Sequence, residues 1–79
     1  MKLLVQNPYS KIYYGDVDSV YVTTTVGDAE ILEEHAKLSS IVVGKIKLKE
    51  KGGTLKEIDL QGRQGILHTD GKEIFILIP

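Results

Sequence analysis

The chain has 79 residues with ten basic and eleven acidic side chains, a net charge of −1 and no cysteine. That length predicts one domain, residues 1–79, and the absent thiols exclude disulfides and thiolate metal sites, so a small core must draw its stability from packing or from a partner surface. The balanced charge argues against a nucleic-acid binder, and no apolar stretch approaches the roughly 20 residues of a membrane-spanning helix.

The N-terminal run Met1–Val5 meets Gln6 and Asn7 at once. It is too short for a signal-peptide core, and the expectation is a soluble cytoplasmic protein that reaches a membrane only through other proteins. From there a period of two dominates. Strands are predicted at Leu3–Asn7, Lys11–Tyr14, Asp16–Thr24, Ala29–Leu32, Leu38–Val43, Lys45–Glu50, Leu55–Gln61, Ile66–Thr69 and Glu73–Ile78. Turn signals separate them: Asn7-Pro8, Gly15-Asp16, Gly27-Asp28, Val43-Gly44, Gly52-Gly53 and Asp70-Gly71. Gly52-Gly53 and Asp70-Gly71 suit tight hairpins, in which both central residues take positive φ. Asp28–Leu38 is the one helix candidate, with good helix formers and Asp28 as its cap. The fold class that follows is all-β, an antiparallel sandwich or small barrel of eight to ten short strands.

The charged clusters carry little chemistry of their own. Asp28, Glu30, Glu33, Glu34 and His35 lack the spacing of a calcium loop or of a zinc helix, and read as a solvated acidic loop or a contact loop for a basic partner. Lys45, Lys47, Lys49 and Lys51 share one strand face opposite Ile46 and Leu48, with no aromatics between them to stack bases. His35 and His68 sit in no triad pattern, and Gly62-Arg63-Gln64-Gly65 lacks a phosphate-binding lysine or glycine triplet. No catalytic residue, metal ligand or cofactor-binding residue is predicted. Docking to protein is the function class these residues favour.

One ordered set of residues is more specific. Asn7-Pro8, Tyr14-Gly15-Asp16-Val17-Asp18-Ser19-Val20, Gly27-Asp28, Ile31-Leu32, His35-Ala36 with Leu38, and Gly44 with Ile46 occur in that order. This resembles the N-terminal β-sandwich of the epsilon subunit of F-type ATP synthases. Glu30, Glu33 and Lys37 depart from that pattern, standing where the family has a glycine and two prolines. The helical hairpin that follows the sandwich in many such subunits has no counterpart in residues 1–79.

The resemblance implies a two-sheet antiparallel sandwich without enzymatic activity. It implies a rotor subunit in the central stalk, linking the gamma shaft to the ring of c subunits on the cytoplasmic face of a bacterial inner membrane. Asn7, His35, Ala36, Leu38 and Ser39 would face gamma, and Asp28, Ala29 and Glu30 would face the c ring. Nucleotide binding is not expected without the hairpin, and neither nucleic acid nor membrane insertion is implied. From the residues alone, a free-standing sandwich that binds another protein or a carbohydrate stays open, as does a nucleic-acid barrel using the lysine face.

Overall fold

The structure, a computed structural model, describes residues 1–33 and 37–79. Its strands in chain order are β1 (Lys2–Gln6), β2 (Lys11–Thr24), β3 (Gly27–Leu32), β4 (Leu38–Glu50), β5 (Leu55–Asp59), β6 (Gly65–Thr69) and β7 (Glu73–Leu77). Residues 28–32 of the helix candidate lie in strand β3, in which Ala29 and Ile31 turn inward while Asp28, Glu30 and Leu32 turn out. Period two overrides the helix propensity of that segment, because only alternation puts Ile31 in the core. Residues 34–36 lie outside the described residues.

Among the described residues seven strands stand where nine were predicted, because two pairs run on as single long strands. β2 continues through Gly15-Asp16, and β4 continues through Gly44. At Gly44 the pairing with β2 jumps from Ile46 opposite Val22 to Val43 opposite Thr23, leaving extra residues in β4. Gly44 takes φ +75° in this bulge, a conformation most side chains resist, and its carbonyl accepts a hydrogen bond from the Leu60 amide at 2.9 Å. Each long strand therefore serves two layers.

One layer, sheet A, runs β3, the second half of β2, the second half of β4, then β5. The other, sheet B, runs the first half of β2, then β1, β7, β6 and the first half of β4. Counted by halves, the predicted nine strands of a two-sheet sandwich are present. The strands β1, β2, β4, β6 and β7 also form a closed ring, with β3 and β5 added outside it. The expectation of antiparallel pairing throughout needs one correction, since β1 and β7 are parallel. A closed ring with an odd number of strands cannot alternate direction all the way round. At least one parallel pair is obligatory.

The core between the layers is aliphatic: Leu3, Val5, Val17, Val20, Val22, Ile31, Val42, Ile46, Leu48, Leu60, Leu67, Ile74, Ile76 and Ile78 are buried. The five aromatic residues lie outside that set. Gly65 marks the tightest approach, for a Cβ there would lie 2.8 Å from Val42 Cγ2 and 3.2 Å from Ile76 Cγ2. Both glycine-bearing hairpins form, with loops longer than two residues. The Glu50 amide bonds the Thr54 carbonyl at 2.7 Å, and Asp70 accepts from the Lys72 and Glu73 amides at 2.9 Å each. Asp70 is held below the usual carboxylate range first by those backbone donors.

A side-chain latch ties β2 to β4 and β5. The Tyr13 hydroxyl donates to Glu50 Oε2 at 2.6 Å, Lys56 Nζ lies 3.3 Å from the same oxygen, and that ammonium sits 5.8 Å from the Tyr13 ring. Burial, followed by the bond to Glu50, pushes the Tyr13 phenol up to about 12. A phenol whose folded pKa is raised contributes stability below pH 10 that is lost as the pH climbs toward about 12. Tyr13→Phe is expected to cost about 1 kcal/mol at neutral pH, the net worth of such a hydrogen bond. It should also flatten the loss of stability between pH 10 and 12, measured by urea unfolding at a series of pH values.

Candidate functional site

The two outer faces of the sandwich differ in chemistry. On sheet A, alternation along β3, β2, β4 and β5 turns charge outward in columns. Asp28 and Glu30 stand on β3, Ser19 and Tyr21 on β2, Lys45, Lys47 and Lys49 on β4, and Glu57 and Asp59 on β5. Register aligns Glu30, Tyr21, Lys47 and Glu57 into one row across the sheet. Lys45 pairs with Glu57 at 3.3 Å, and the Tyr21 hydroxyl donates to Asp28 Oδ2 at 2.8 Å, which raises the Tyr21 phenol above its ordinary value. An open groove of about 540 Å³ runs over Tyr21, Lys47, Lys49 and Leu55.

Sheet B turns a different surface outward. Pairing places Tyr14, Leu4, Phe75, His68 and Ser39 in one continuous row from β2 across β1, β7 and β6 to β4. The next row runs Lys11, Gln6, Leu77, Ile66 and Ile41. Tyr14, Ile41, Ile66, Phe75 and Leu77 are all exposed, with Ile66 at 52% and Tyr14 at 58%. Single exposed apolar residues are ordinary, but contiguous ones on one face mark an interaction surface. Asp16, Lys2 and Glu73 form a charged row along one margin, with Lys2 Nζ 2.9 Å from Asp16 Oδ2.

The predicted contact residues divide between these faces. Asp28 and Glu30 come together on the outer face of sheet A, but Ala29 points inward and packs against the core, so the alternation of β3 removes it from that surface. Ser39 lies on the outer face of sheet B, whereas Leu38 packs against the core from the same strand. Asn7 caps the turn after β1, its Oδ1 accepting from the Tyr9 and Ser10 amides at 2.8 Å each. Strand spacing and rise put Asn7 roughly 15–20 Å from Ser39, at the diagonally opposite corner of sheet B. Asn7 and Ser39 can share a partner only if that partner covers the sheet. His35 and Ala36 lie outside the described residues.

The sheet B surface itself was missed by sequence reasoning. Its signal was the unbroken apolar run Ile74–Ile78, in which Ile74, Ile76 and Ile78 are buried while Phe75 and Leu77 face out. A strand apolar on both sides needs cover on both sides. His68, which sits in no triad pattern in the sequence, has a partner across the sheet. Its Nδ1 lies 2.9 Å from Ser39 Oγ, a pairing set by β4–β6 register and invisible in sequence. The nearby Asp70 carboxylate is engaged by its own turn, so the pair is not completed into a triad. Among the described residues no cluster of metal-ligating side chains is present.

Known proteins with the same pattern are consistent in kind. An epsilon chain of ATP synthase from Caldanaerobacter subterraneus subsp. tengcongensis is 38% identical over 74 residues, covering 91% of this chain and 53% of that protein. One from Sulfurihydrogenibium sp. is 31% identical over 78 residues, covering 98% of this chain and 57% of that protein. The chain thus spans about half the length of the curated relatives it matches. Among solved structures, a chain of the Euglena gracilis mitochondrial ATP synthase superposes with a TM-score of 0.83 at 16% identity, covering 96% of this chain and 48% of that chain. A chain from the central stalk and c-ring structure of the Tetrahymena thermophila mitochondrial ATP synthase superposes with a TM-score of 0.72 at 15% identity, covering 99% of this chain and 62% of that chain. At those identities the superpositions speak for the fold alone. Residues 1–78 match the family described as ATP synthase, Delta/Epsilon chain, beta-sandwich domain, and the chain belongs to that family.

Proposed function

We propose that this domain is a non-catalytic rotor element of an F-type ATP synthase. It seats on the gamma shaft through the outer face of sheet B and turns Asp28 and Glu30 toward the ring of c subunits. The complex would lie on the cytoplasmic face of a bacterial membrane, with this domain peripheral to it. The observation that carries the reading is the opposed chemistry of the two faces, one apolar and one striped with charge. An element that transmits torque between two different neighbours needs a stiff body with two unlike surfaces. The interlocked aliphatic core supplies the stiffness, since such interiors pack at crystal-like density. Exposed carboxylates on β3 suit register against basic loops, and electrostatic matching of this kind selects partners more than it adds affinity.

The test is a charge reversal. Asp28→Lys with Glu30→Lys is expected to weaken assembly with the c ring by roughly tenfold, as like charges meet across that contact. Circular dichroism of the isolated domain should stay as in the parent, and the cost in stability should stay below about 1 kcal/mol, because both side chains are exposed and only the Tyr21–Asp28 hydrogen bond is lost. Unchanged recovery of the ring in pull-downs would remove β3 from the interface.

A further inference from the structure

The apolar rows of sheet B end in charge at only some places, and that asymmetry describes the partner. Five strands spaced about 4.8 Å apart and two outward rows give a face of roughly 350 Å². A stable pairing of protein surfaces covers about 800 Å² on each side. A second copy seated on this face alone would therefore be held weakly, and the occupant must be a larger surface that reaches past the rim.

At the rim, Lys2 is already neutralised by Asp16 at 2.9 Å. Lys11 is different. It ends the Gln6–Leu77–Ile66–Ile41 row, and among the described residues no carboxylate lies within 4 Å of its ammonium. Its Nζ lies 5.3 Å from the centre of the Tyr14 ring, and Lys2 Nζ lies 5.7 Å from that same ring. A cation over an aromatic face is steadied without being neutralised. The far corner of the face holds the uncharged Ser39 and the imidazole of His68.

We infer that the surface docking here is apolar with a carboxylate at one corner, and that this carboxylate seats on Lys11 beside the Tyr14 ring. The inference rests on the docking reading above and adds the chemistry of the partner. Lys11 then sets orientation: an apolar surface alone slides or rotates on a flat sheet, whereas one charge pair at a corner fixes its angle. Rim charges act mainly through association rate and salt dependence.

The experiment is a titration of the domain with the purified gamma subunit of the same complex, at low and moderate salt. Lys11→Glu should weaken binding roughly tenfold at low salt, and Lys11→Arg should stay within about twofold. Lys51→Glu, an exposed charge reversal in the β4–β5 turn, should leave affinity unchanged. Equal affinity for Lys11→Glu and the parent, with the parent binding, overturns the role of Lys11 and leaves the docking reading standing. Absence of binding by the parent overturns the docking reading and this inference with it. Concentration-dependent dimers in sedimentation equilibrium that Phe75→Asp abolishes would assign the face to a second copy, and overturn both.

Discussion

Phe75→Asp is expected to weaken the proposed docking on the gamma shaft by roughly thirtyfold or more while the domain stays folded. Phe75 sits at the centre of the outer face of sheet B, between Leu4 and His68 in the cross-strand row. It is 39% exposed, so its ring is partly covered by its sheet neighbours, and the substitution should cost roughly 1–2 kcal/mol, less than the domain holds in all. In the docked state the ring would be covered completely. Placing a carboxylate there buries an unpaired charge, and central aromatic anchors of interfaces commonly carry about 2 kcal/mol or more, which is roughly thirtyfold in affinity. Isothermal titration of parent and variant with gamma measures the first effect, and chemical unfolding measures the second. A variant that binds as tightly as the parent would exclude this face as the docking surface.

Leu67→Ala should act in the opposite sense, on stability first. Leu67 on β6 has no exposed surface and packs inside the aliphatic core. Removing a buried leucine costs about 3 kcal/mol or more, because lost transfer free energy adds to the cavity left behind. A chain of this size holds roughly 4–12 kcal/mol in all. The melting temperature should fall by roughly 12–24 °C, at about 4–8 °C for each kcal/mol. Its neighbour Ile66 faces out, so Ile66→Ala should cost less than about 1 kcal/mol. A register slipped by one residue would reverse the two results, so the pair of unfolding curves checks the sidedness of β6 directly.

The strands were largely legible because alternation is local. Lys45-Ile46-Lys47-Leu48-Lys49 reads as a half-buried strand from the residues alone, and in the structure Ile46 and Leu48 are indeed buried. Continuity across Gly15 and Gly44 was not legible, since a glycine signals a turn and a bulge alike, and the choice depends on strands far away in the chain. The same limit applied to the candidate site. The acidic residues of β3 drew notice through charge, but which of them face outward follows from pleat and register, and those placed Ala29 inside. The sheet B surface is made by five strands in one register, so no short stretch displays it. Only the run Ile74–Ile78 hinted at it, and an apolar run does not by itself say which of its sides lacks cover.

The parallel pairing of β1 with β7 has a consequence in time as well as in space. Lys2 pairs with Glu73, so the contact that closes the ring joins residues 71 positions apart (73 − 2). The hairpins β2–β3, β4–β5 and β6–β7 can each form from neighbouring residues, but β1 lacks one of its two flanking strands until β7 has been synthesised. Contacts of such long range are paid for in loop-closure entropy before they return any energy, and domains dominated by them fold in roughly milliseconds to seconds. On a ribosome adding about 5–20 residues per second, β1 waits several seconds with one edge open. Lys2 at that edge is one of the devices that keep an open strand from pairing with the wrong chain.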